Sequence, residues 1–408
     1  MNFALISLAG LVFAVAAGIL GKLNIGLLSI GVAYLIGSAA GFEAATIVAG
    51  WPTRLFFILF SMSFLFGIVS ANGTLDLLVK RTIAAVKGHN RFLPLILLFG
   101  SAVLSGMGPG NIATVAIISP LALAISRKEG ISPLLVAIMV ILGANAGGLS
   151  PIAPTGIIAN DLAREEGLEI AVVLLRDMSI VTLLCGVLTY FVLGGWRIPS
   201  RSVESGDNAI SFNRHHLLTL LVVGAAIIAI VAGSNIGLTA FLASGVLLAF
   251  RVSSESEAMA RVPWSAILLV CGVALLIGIV EETGGMQLLT RTLGAAMSEA
   301  TVGPAMTVVA GLMSLVSSAS GVVLPTLIPA VPGIVAEIGP AVPPEVLISS
   351  IAIGSHLPTV CPFSTLGALA IAAAGGAERN ELFTKLILAG FSYLFVGAAI
   401  SYFLITVL

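Results

Sequence analysis

Gly143-Ala-Asn-Ala-Gly-Gly-Leu-Ser-Pro-Ile-Ala-Pro-Thr-Gly156 interrupts an apolar stretch that runs from about 132 to 160, and Gly354-Ser-His-Leu-Pro-Thr-Val-Cys-Pro-Phe-Ser-Thr-Leu-Gly367 interrupts another from 344 to 375. Each run is long enough to cross a bilayer as one helix, which takes about 20 apolar residues, yet each carries prolines and glycines at its middle. Proline removes a backbone donor and glycine gives up helix stability, so each run reads as two half-helices joined by an irregular loop. The two breaks lie 211 residues apart: Gly143, Pro151 and Gly156 align with Gly354, Pro362 and Gly367.

The same offset recurs along the chain. Asn24-Ile25-Gly26-Leu27 returns as Asn235-Ile236-Gly237-Leu238, Gly67-Ile68-Val69 as Gly278-Ile279-Val280, and Gly73, Gly100, Gly110 and Pro133 fall on Gly284, Gly311, Gly321 and Pro344. An internal repeat of this kind means that the chain is built from two like halves. Spans are expected near 3–20, 24–42, 54–73, 132–160, 176–195, 216–233, 235–250, 264–283, 344–375 and 383–407, ten in all, five per half. Two further apolar stretches, 91–126 and 302–337, are broken at Ser105-Gly-Met-Gly-Pro-Gly-Asn111 and Ser317-Ser-Ala-Ser-Gly321 and read as re-entrant helical hairpins. Five being odd, the second half is expected upside down relative to the first. The halves are bounded as 1–195 and 215–408, with a polar linker at 196–214.

Composition agrees: 58% of the 408 residues are hydrophobic and 9% charged, with a mean hydropathy of +1.15. A solvated surface cannot be covered with so few charges, so the fold class is an all-α integral membrane protein. A formal net charge of −1 supplies no field for nucleic acid. Cys185, Cys271 and Cys361 lie singly in apolar runs, without the spacing of a disulfide framework or a metal site. The first apolar run has no Lys or Arg before it, the reverse of a cleavable signal, so it is expected to remain. In the ten-span arrangement, four of the 18 Lys and Arg (Arg54, Arg164, Arg176 and Arg291) fall on one side and fourteen on the other. The richer side marks the cytoplasm, giving a multi-pass protein of the inner or plasma membrane with both termini outside. Stretches 74–90 and 284–300 read as amphipathic helices lying at the interfaces.

Irregular backbone at membrane depth leaves N–H and C=O groups unpaired at several kcal/mol each unless protein, water or ligand satisfies them. Four such breaks, paired by the repeat, favour a ligand between the halves. Half-helix N-termini point positive dipole ends at an anion, while loop carbonyls with Ser, Thr and Asn oxygens coordinate a small cation. No Asp or Glu stands at the centre of an expected span; Glu43, Asp76, Glu281 and Glu282 lie near interfaces. A carboxylate proton relay is therefore not visible. No HExxH, hydrolase constellation or Walker motif is present, which disfavours an enzyme or an ATP-driven pump. Gradient-driven transport remains, with a passive channel as the alternative of a different class.

Leu142-Gly-Ala-Asn-Ala-Gly-Gly-Leu-Ser-Pro-Ile-Ala-Pro-Thr-Gly-Ile-Ile158, with Ser105-Gly-Met-Gly-Pro-Gly-Asn111 and Asn24-Ile-Gly-Leu27, resembles the N-terminal signature of the MatC-type malonate/dicarboxylate carriers, and the architecture is similar to that of the divalent anion/sodium symporters. The resemblance implies Na⁺-coupled uptake of a small dicarboxylate, malonate first, by an elevator-like movement in a homodimer. Of the Ser-Asn-Thr motif that those symporters carry at both hairpin tips, only Asn111 is present here. Breaks and resemblance together place candidate substrate contacts at Asn111, Ser150, Pro151 and Thr155 in the first half. In the second they fall at Ser320, His356, Thr359, Pro362, Ser364 and Thr365. Candidate Na⁺ ligands are Ser105, Gly108, Asn111, Asn145 and Gly148, then Ser317, Ser320, Ser355 and Thr359; no other cofactor is expected. The site is expected to hold no Arg or Lys that could pair a carboxylate, so a dianion is expected to rest on hydroxyls, amides, helix N-termini and bound cations. His356, at the place of Asn145 in the repeat, is read as a substrate donor. A proton-coupled or exchange-type carrier of another small anion, with His356 titrating, stays open.

Overall fold

The computed structural model describes residues 2–21, 23–84, 90–198, 213–339 and 341–407, and among them there is no strand. The first half contains α1 (Phe3–Gly21), α2 (Ile25–Ala39), α3 (Ala44–Ala49), α4 (Thr53–Ala71), α5 (Thr74–Ala84), α6 (Leu93–Gly106), α7 (Gly110–Glu129), α8 (Pro133–Gly148), α9 (Pro154–Glu165) and α10 (Ala171–Val192). The second contains α11 (Arg214–Val231), α12 (Ile236–Ala249), α13 (Glu255–Ala260), α14 (Trp264–Glu282), α15 (Gly285–Ala295), α16 (Val302–Val316), α17 (Leu324–Leu327), α18 (Val331–Ile338), α19 (Pro344–His356), α20 (Thr365–Ala373) and α21 (Gly376–Val407). The first residues of α1, α2, α3, α4, α5, α8 and α9 each recur 211 residues later as the first residues of α11, α12, α13, α14, α15, α19 and α20.

Eight helices among the described residues are long and apolar enough to cross a membrane. Seven coincide with expected spans. The eighth is α7, one arm of the first expected hairpin. The other arm, α6, spans 14 residues and meets α7 across Met107–Pro109, where Gly108 has φ +133°. The spans expected at 24–42 and 235–250 are shorter than the sequence suggests: α2 has 15 residues and α12 has 14. At 1.5 Å per residue these reach roughly 20 Å, short of a hydrocarbon core of roughly 30 Å. What ends them is backbone: Gly41 takes φ +92° after α2, and Arg251 takes φ +52° after α12. The second expected hairpin bends by 120° between α16 and the π-helical turn Ala319–Val323, and its return arm is split into α17 and α18. The amphipathic helices appear as α5 and α15. Residues 199–212 of the expected linker lie outside the described residues.

Helices segregate into two packed groups. In the central one, α8 packs on α6, α7 and α10, α19 packs on α16 and α21, and α10 meets α19 across the halves. Both central helices are buried on all sides, α8 from Leu135 to Gly148 and α19 from Leu347 to His356. In the peripheral group α2 packs on α14 and α4 on α12, with α1 and α11 outermost. Outward residues there are large and apolar, such as Leu20 at 85% and Val231 at 80% exposure. Such a surface suits lipid, not water. The peripheral packing is reciprocal. A Cβ on Gly26 would stand 2.1 Å from the Leu268 carbonyl oxygen, and one on Gly237 would stand 2.6 Å from the Phe57 ring; Gly237 and Leu268 are Gly26 and Phe57 moved by 211. The same close approach is thus made between α2 and α14 and between their counterparts α12 and α4. The helices α4 and α14 run antiparallel: Ser70 near the end of α4 meets Arg261 before α14, while Arg54 and Glu281 share a cavity at the other end.

Candidate functional site

All four expected breaks are present. Within the first hairpin the chain turns through Gly108 and Gly110, both at positive φ. After α8 the loop 149–153 folds back on the start of α9, so that a Cβ on Gly156 would stand 2.0 Å from the Ser150 carbonyl oxygen. After α19 a 3₁₀ turn, Leu357–Val360, leads to a loop folded in the same way, and a Cβ on Gly367 would stand 2.0 Å from the carbonyl oxygen of Cys361. Only glycine permits either approach, because the loop carbonyl occupies the space a side chain would need. The second hairpin breaks at Ser317, and Ser318 Oγ accepts from the Gly321 amide at 3.1 Å.

A cavity of about 500 Å³ lies at the seam between the two helix groups. Its central wall carries Gly108, Gly110 and Asn111 of the first hairpin, Ser318 and Ser320 of the second, Pro154 and Thr155 at the start of α9, and Thr365 at the start of α20. Its peripheral wall is made by α4, with Ser63, Phe66 and Ser70, and by the segment from Arg261 to Val270. Three helices, α7, α9 and α20, thus begin at the cavity, and their free N–H groups favour an anion. The volume suits a small organic ligand.

Of the expected substrate contacts, the structure brings Asn111, Thr155, Ser320 and Thr365 to this cavity, and Gly108 of the expected cation ligands lines it too. Ser150, Pro151, His356, Thr359, Pro362 and Ser364 do not line it. Ser364 caps α20, accepting from the Gly367 amide at 3.3 Å. Behind the cavity, Asn145 forms a buried hub. Its Nδ2 donates to the His356 carbonyl at 2.9 Å and to Thr359 Oγ1 at 2.8 Å, while its Oδ1 accepts from Asn111 Nδ2 at 3.1 Å. Asn111 Oδ1 accepts in turn from the Ile112 amide at 2.9 Å and from Thr155 Oγ1 at 3.5 Å. One chain of side chains therefore ties the first hairpin to both broken spans. Asn111 and Asn145 bond to each other directly; Asn145 Oδ1 accepts one bond and retains a lone pair for a further donor or cation, whereas Asn111 Oδ1 gains one only by releasing the 3.5 Å bond from Thr155. Ser105 Oγ is buried with no partner among the described residues. Gly148 packs on Asn111. Ser317 Oγ donates to the Met313 carbonyl at 2.6 Å and Ser355 Oγ to the Ala352 carbonyl at 3.1 Å, so neither hydroxyl joins the hub.

His356 is wholly buried. Its Nδ1 lies 2.9 Å from the Ala352 carbonyl, which only accepts, so Nδ1 carries the proton and Nε2 is the lone-pair nitrogen. That Nε2 is buried without a partner among the described residues. The imidazole is set behind the cavity wall, not in it.

Sequence reasoning passed over Arg261. The expectation that no Arg or Lys reaches the site does not hold, since Arg261 lines the cavity and donates from Nη1 to Ser70 Oγ at 3.0 Å. It lies in the loop between α13 and α14, where its only signal was the place before Pro263-Trp264. Two buried carboxylates were also passed over. Asp177, in the second turn of α10, accepts from Ser349 Oγ at 2.8 Å and pairs with Arg176 at 2.8 Å. Asp161 pairs with Arg54 at 3.4 Å.

A second cavity, about 470 Å³, lies at the opposite end of α4 and α14 and is lined by Gly50, Pro52, Arg54, Glu165, Glu166, Ala274, Ile277, Gly278 and Glu281. Adding 211 to Gly50, Pro52 and Arg54 gives Arg261, Pro263 and Ser265. Subtracting it from Ala274, Ile277, Gly278 and Glu281 gives Ser63, Phe66, Gly67 and Ser70, all in the wall of the first cavity. The two are counterparts under the repeat. Burial raises the Glu165 carboxyl above its ordinary range, with Asp161 and Glu166 adding to it, and burial raises Glu166 as well.

Comparison with known proteins agrees with this picture. Residues 1–148 match the sequence family described as the dicarboxylate carrier protein MatC N-terminus, which bears out the resemblance over that stretch. Two proteins described as uncharacterised transporters, from two strains of Mycobacterium tuberculosis, are 24% identical over 357 residues, covering 80% of this chain and 80% of theirs. Among solved structures, the Alcanivorax borkumensis YdaH transporter, described as having an unusual topology, superposes with a TM-score of 0.62 at 14% identity over 88% of this chain and 86% of its own. The similarity is to transporters and not to enzymes, and with its apolar helices the chain is a multi-pass membrane protein.

Proposed function

We propose that the protein is a secondary active transporter that carries a short dicarboxylate, malonate first, into the cell together with Na⁺. The observation that carries this reading is the cavity at the seam of the two helix groups, reached by both hairpin tips and by the starts of α9 and α20. A ligand there touches both groups, so sliding one past the other changes its access, an elevator-type movement. The carboxylates face the N-termini of α7, α9 and α20 and the hydroxyls of Thr155, Ser320 and Thr365. The cation is held by the Asn111 and Asn145 amide oxygens, Ser105 Oγ and the carbonyls ending α6 and α8. In this reading the halves are inverted in the bilayer, both termini lie outside, the membrane is the plasma membrane, and the cavity opens at the cytoplasmic, Arg261 end. Pairing into a homodimer belongs to the same proposal.

Purified protein in liposomes tests it. Labelled malonate is expected to accumulate above equilibrium when Na⁺ is high outside and low inside. Accumulation driven by a proton gradient alone would favour the proton-coupled alternative, equilibration without accumulation a channel, and no dicarboxylate flux under any gradient would sink the reading.

A further inference from the structure

Arg261 is the one charged residue among those described in the wall of the first cavity, and it pairs with no carboxylate among the described residues. Among the described residues its one side-chain bond is to Ser70 Oγ, a neutral partner that leaves the guanidinium charge uncompensated by them. A cation so placed in a cavity walled by hydroxyls, amides and helix N-termini adds to a positive field already offered to an anion.

The repeat sharpens the point. At the opposite end of α4 and α14 the place of Arg261 is taken by Gly50 and the place of Ser70 by Glu281, in a cavity that Glu165 and Glu166 also line. The cation there, Arg54, is paired with Asp161 at 3.4 Å. One mouth therefore presents a free positive charge, and its counterpart presents carboxylates and a neutralised arginine. Arg261 also belongs to the peripheral helix group, whereas Asn111, Thr155, Ser320 and Thr365 belong to the central one. A movement between the groups alters the distance from Arg261 to everything else that holds the cargo.

We propose that Arg261 is an anion-binding residue of the cavity, pairing with one carboxylate of the cargo while the cavity is open at the Arg261 end, with no counterpart at the other mouth. This rests on the carrier reading above. A guanidinium pairs with a carboxylate through two parallel N–H bonds, which a neutral amide cannot replace. A dicarboxylate places one carboxylate on the helix N-termini and presents the other to Arg261, whereas a monocarboxylate has none left over.

The test is thermal-shift titration of the purified full-length protein with malonate and with acetate in Na⁺ buffer, for wild type, Arg261→Lys, Arg261→Gln and Ser70→Ala. Arg261→Gln is expected to weaken malonate binding about tenfold and to lower the preference for malonate over acetate, with Arg261→Lys in between. Glutamine keeps neither the charge nor the reach to Ser70, so wild-type malonate binding in Arg261→Gln overturns the proposal. A Ser70→Ala variant that reproduces the loss overturns it too, by assigning the effect to the wall and not to the charge. In right-side-out and everted membrane vesicles the rise in half-saturating malonate is expected only at the face bearing Arg261, and an equal rise at both faces refutes the one-sided contact. A wild-type protein that no dicarboxylate stabilises would instead remove the carrier reading itself.

Discussion

The side-chain amide of Asn145 donates a 2.9 Å hydrogen bond to the main-chain carbonyl of His356, and the two residues are 211 apart in sequence. Each stands at the other's place in the repeat. That contact joins equivalent positions of the two broken spans. It is the point where the two broken spans cross, one turn of backbone away from the loops that border the cavity.

The hub makes Asn145 the more costly of the two amides to remove. Asn145→Ala deletes three hydrogen bonds at a fully buried position, and is expected to lower stability by about 2–3 kcal/mol. Asn111→Ala, at the edge of the cavity, is expected to cost about 1 kcal/mol and to act mainly on Na⁺-dependent stabilisation. Thermal unfolding of both variants with and without Na⁺ checks this; equal melting temperatures would mean that the hub does not join the halves energetically.

Because His356 turns its Nδ1–H to the Ala352 carbonyl and lies behind the cavity wall, its loss is expected to act on folding and not on cargo affinity. His356→Gln and His356→Ala are both expected to keep the malonate dissociation constant within about twofold while losing about 1–3 kcal/mol of stability. A large rise in the dissociation constant in well-folded His356→Gln would restore the substrate-donor reading made from sequence.

Close packing of α2 on α14 predicts a sharp contrast within one helix. A Cβ at Gly26 meets the Leu268 carbonyl oxygen at 2.1 Å, whereas at Gly31 nothing lies within 4 Å. Gly26→Ala is expected to destabilise by about 1–3 kcal/mol through overpacking, and Gly31→Ala to be neutral or stabilising by up to about 1 kcal/mol from helix propensity. Melting temperatures of the two variants decide it, and a neutral Gly26→Ala would contradict the contact.

Sidedness can be read with a single thiol. Cys185, Cys271 and Cys361 are all buried, which keeps background labelling low. A cysteine introduced between 199 and 212 is expected to react with a membrane-impermeant maleimide only after the cytoplasm is opened. Labelling in intact cells would overturn the proposed orientation.

Much of this architecture is legible in sequence because it is written in glycine and proline, whose backbone consequences are local. The breaks at 143–156 and 354–367 and both hairpin tips are of that kind, and Gly156 and Gly367 even keep the same close approach to a loop carbonyl. The short lengths of α2 and α12 were not legible, since both sit in apolar stretches that continue past the helix and are cut by backbone angles at Gly41 and Arg251. Nor was the division of labour at the second break. Sequence places His356, Thr359 and Ser364 at a break, but not His356 at the end of α19 and Thr359 in a 3₁₀ turn at the Asn145 hub, nor Ser364 as the cap of α20. Arg261 was hidden for a third reason: the helices that carry it are remote in sequence from both tips, and only tertiary packing brings it to the cavity wall.

In the proposed carrier, the correspondence of the two cavities bears on which arrangement is preferred at rest. If the halves were identical in sequence, the form open at one end and the form open at the other would be rotated copies with equal free energy, each half-populated in the absence of a membrane potential or a gradient. Every difference between equivalent positions then contributes to the gap between the two populations. Differences in charge and bulk at the mouths, Arg261 against Gly50 and Glu281 against Ser70, stand where the two forms differ most in solvation. The resting bias of the proposed carrier is thus set by where its two halves disagree, and exchanging those residues between the mouths would shift the populations together with the charge each mouth offers the cargo.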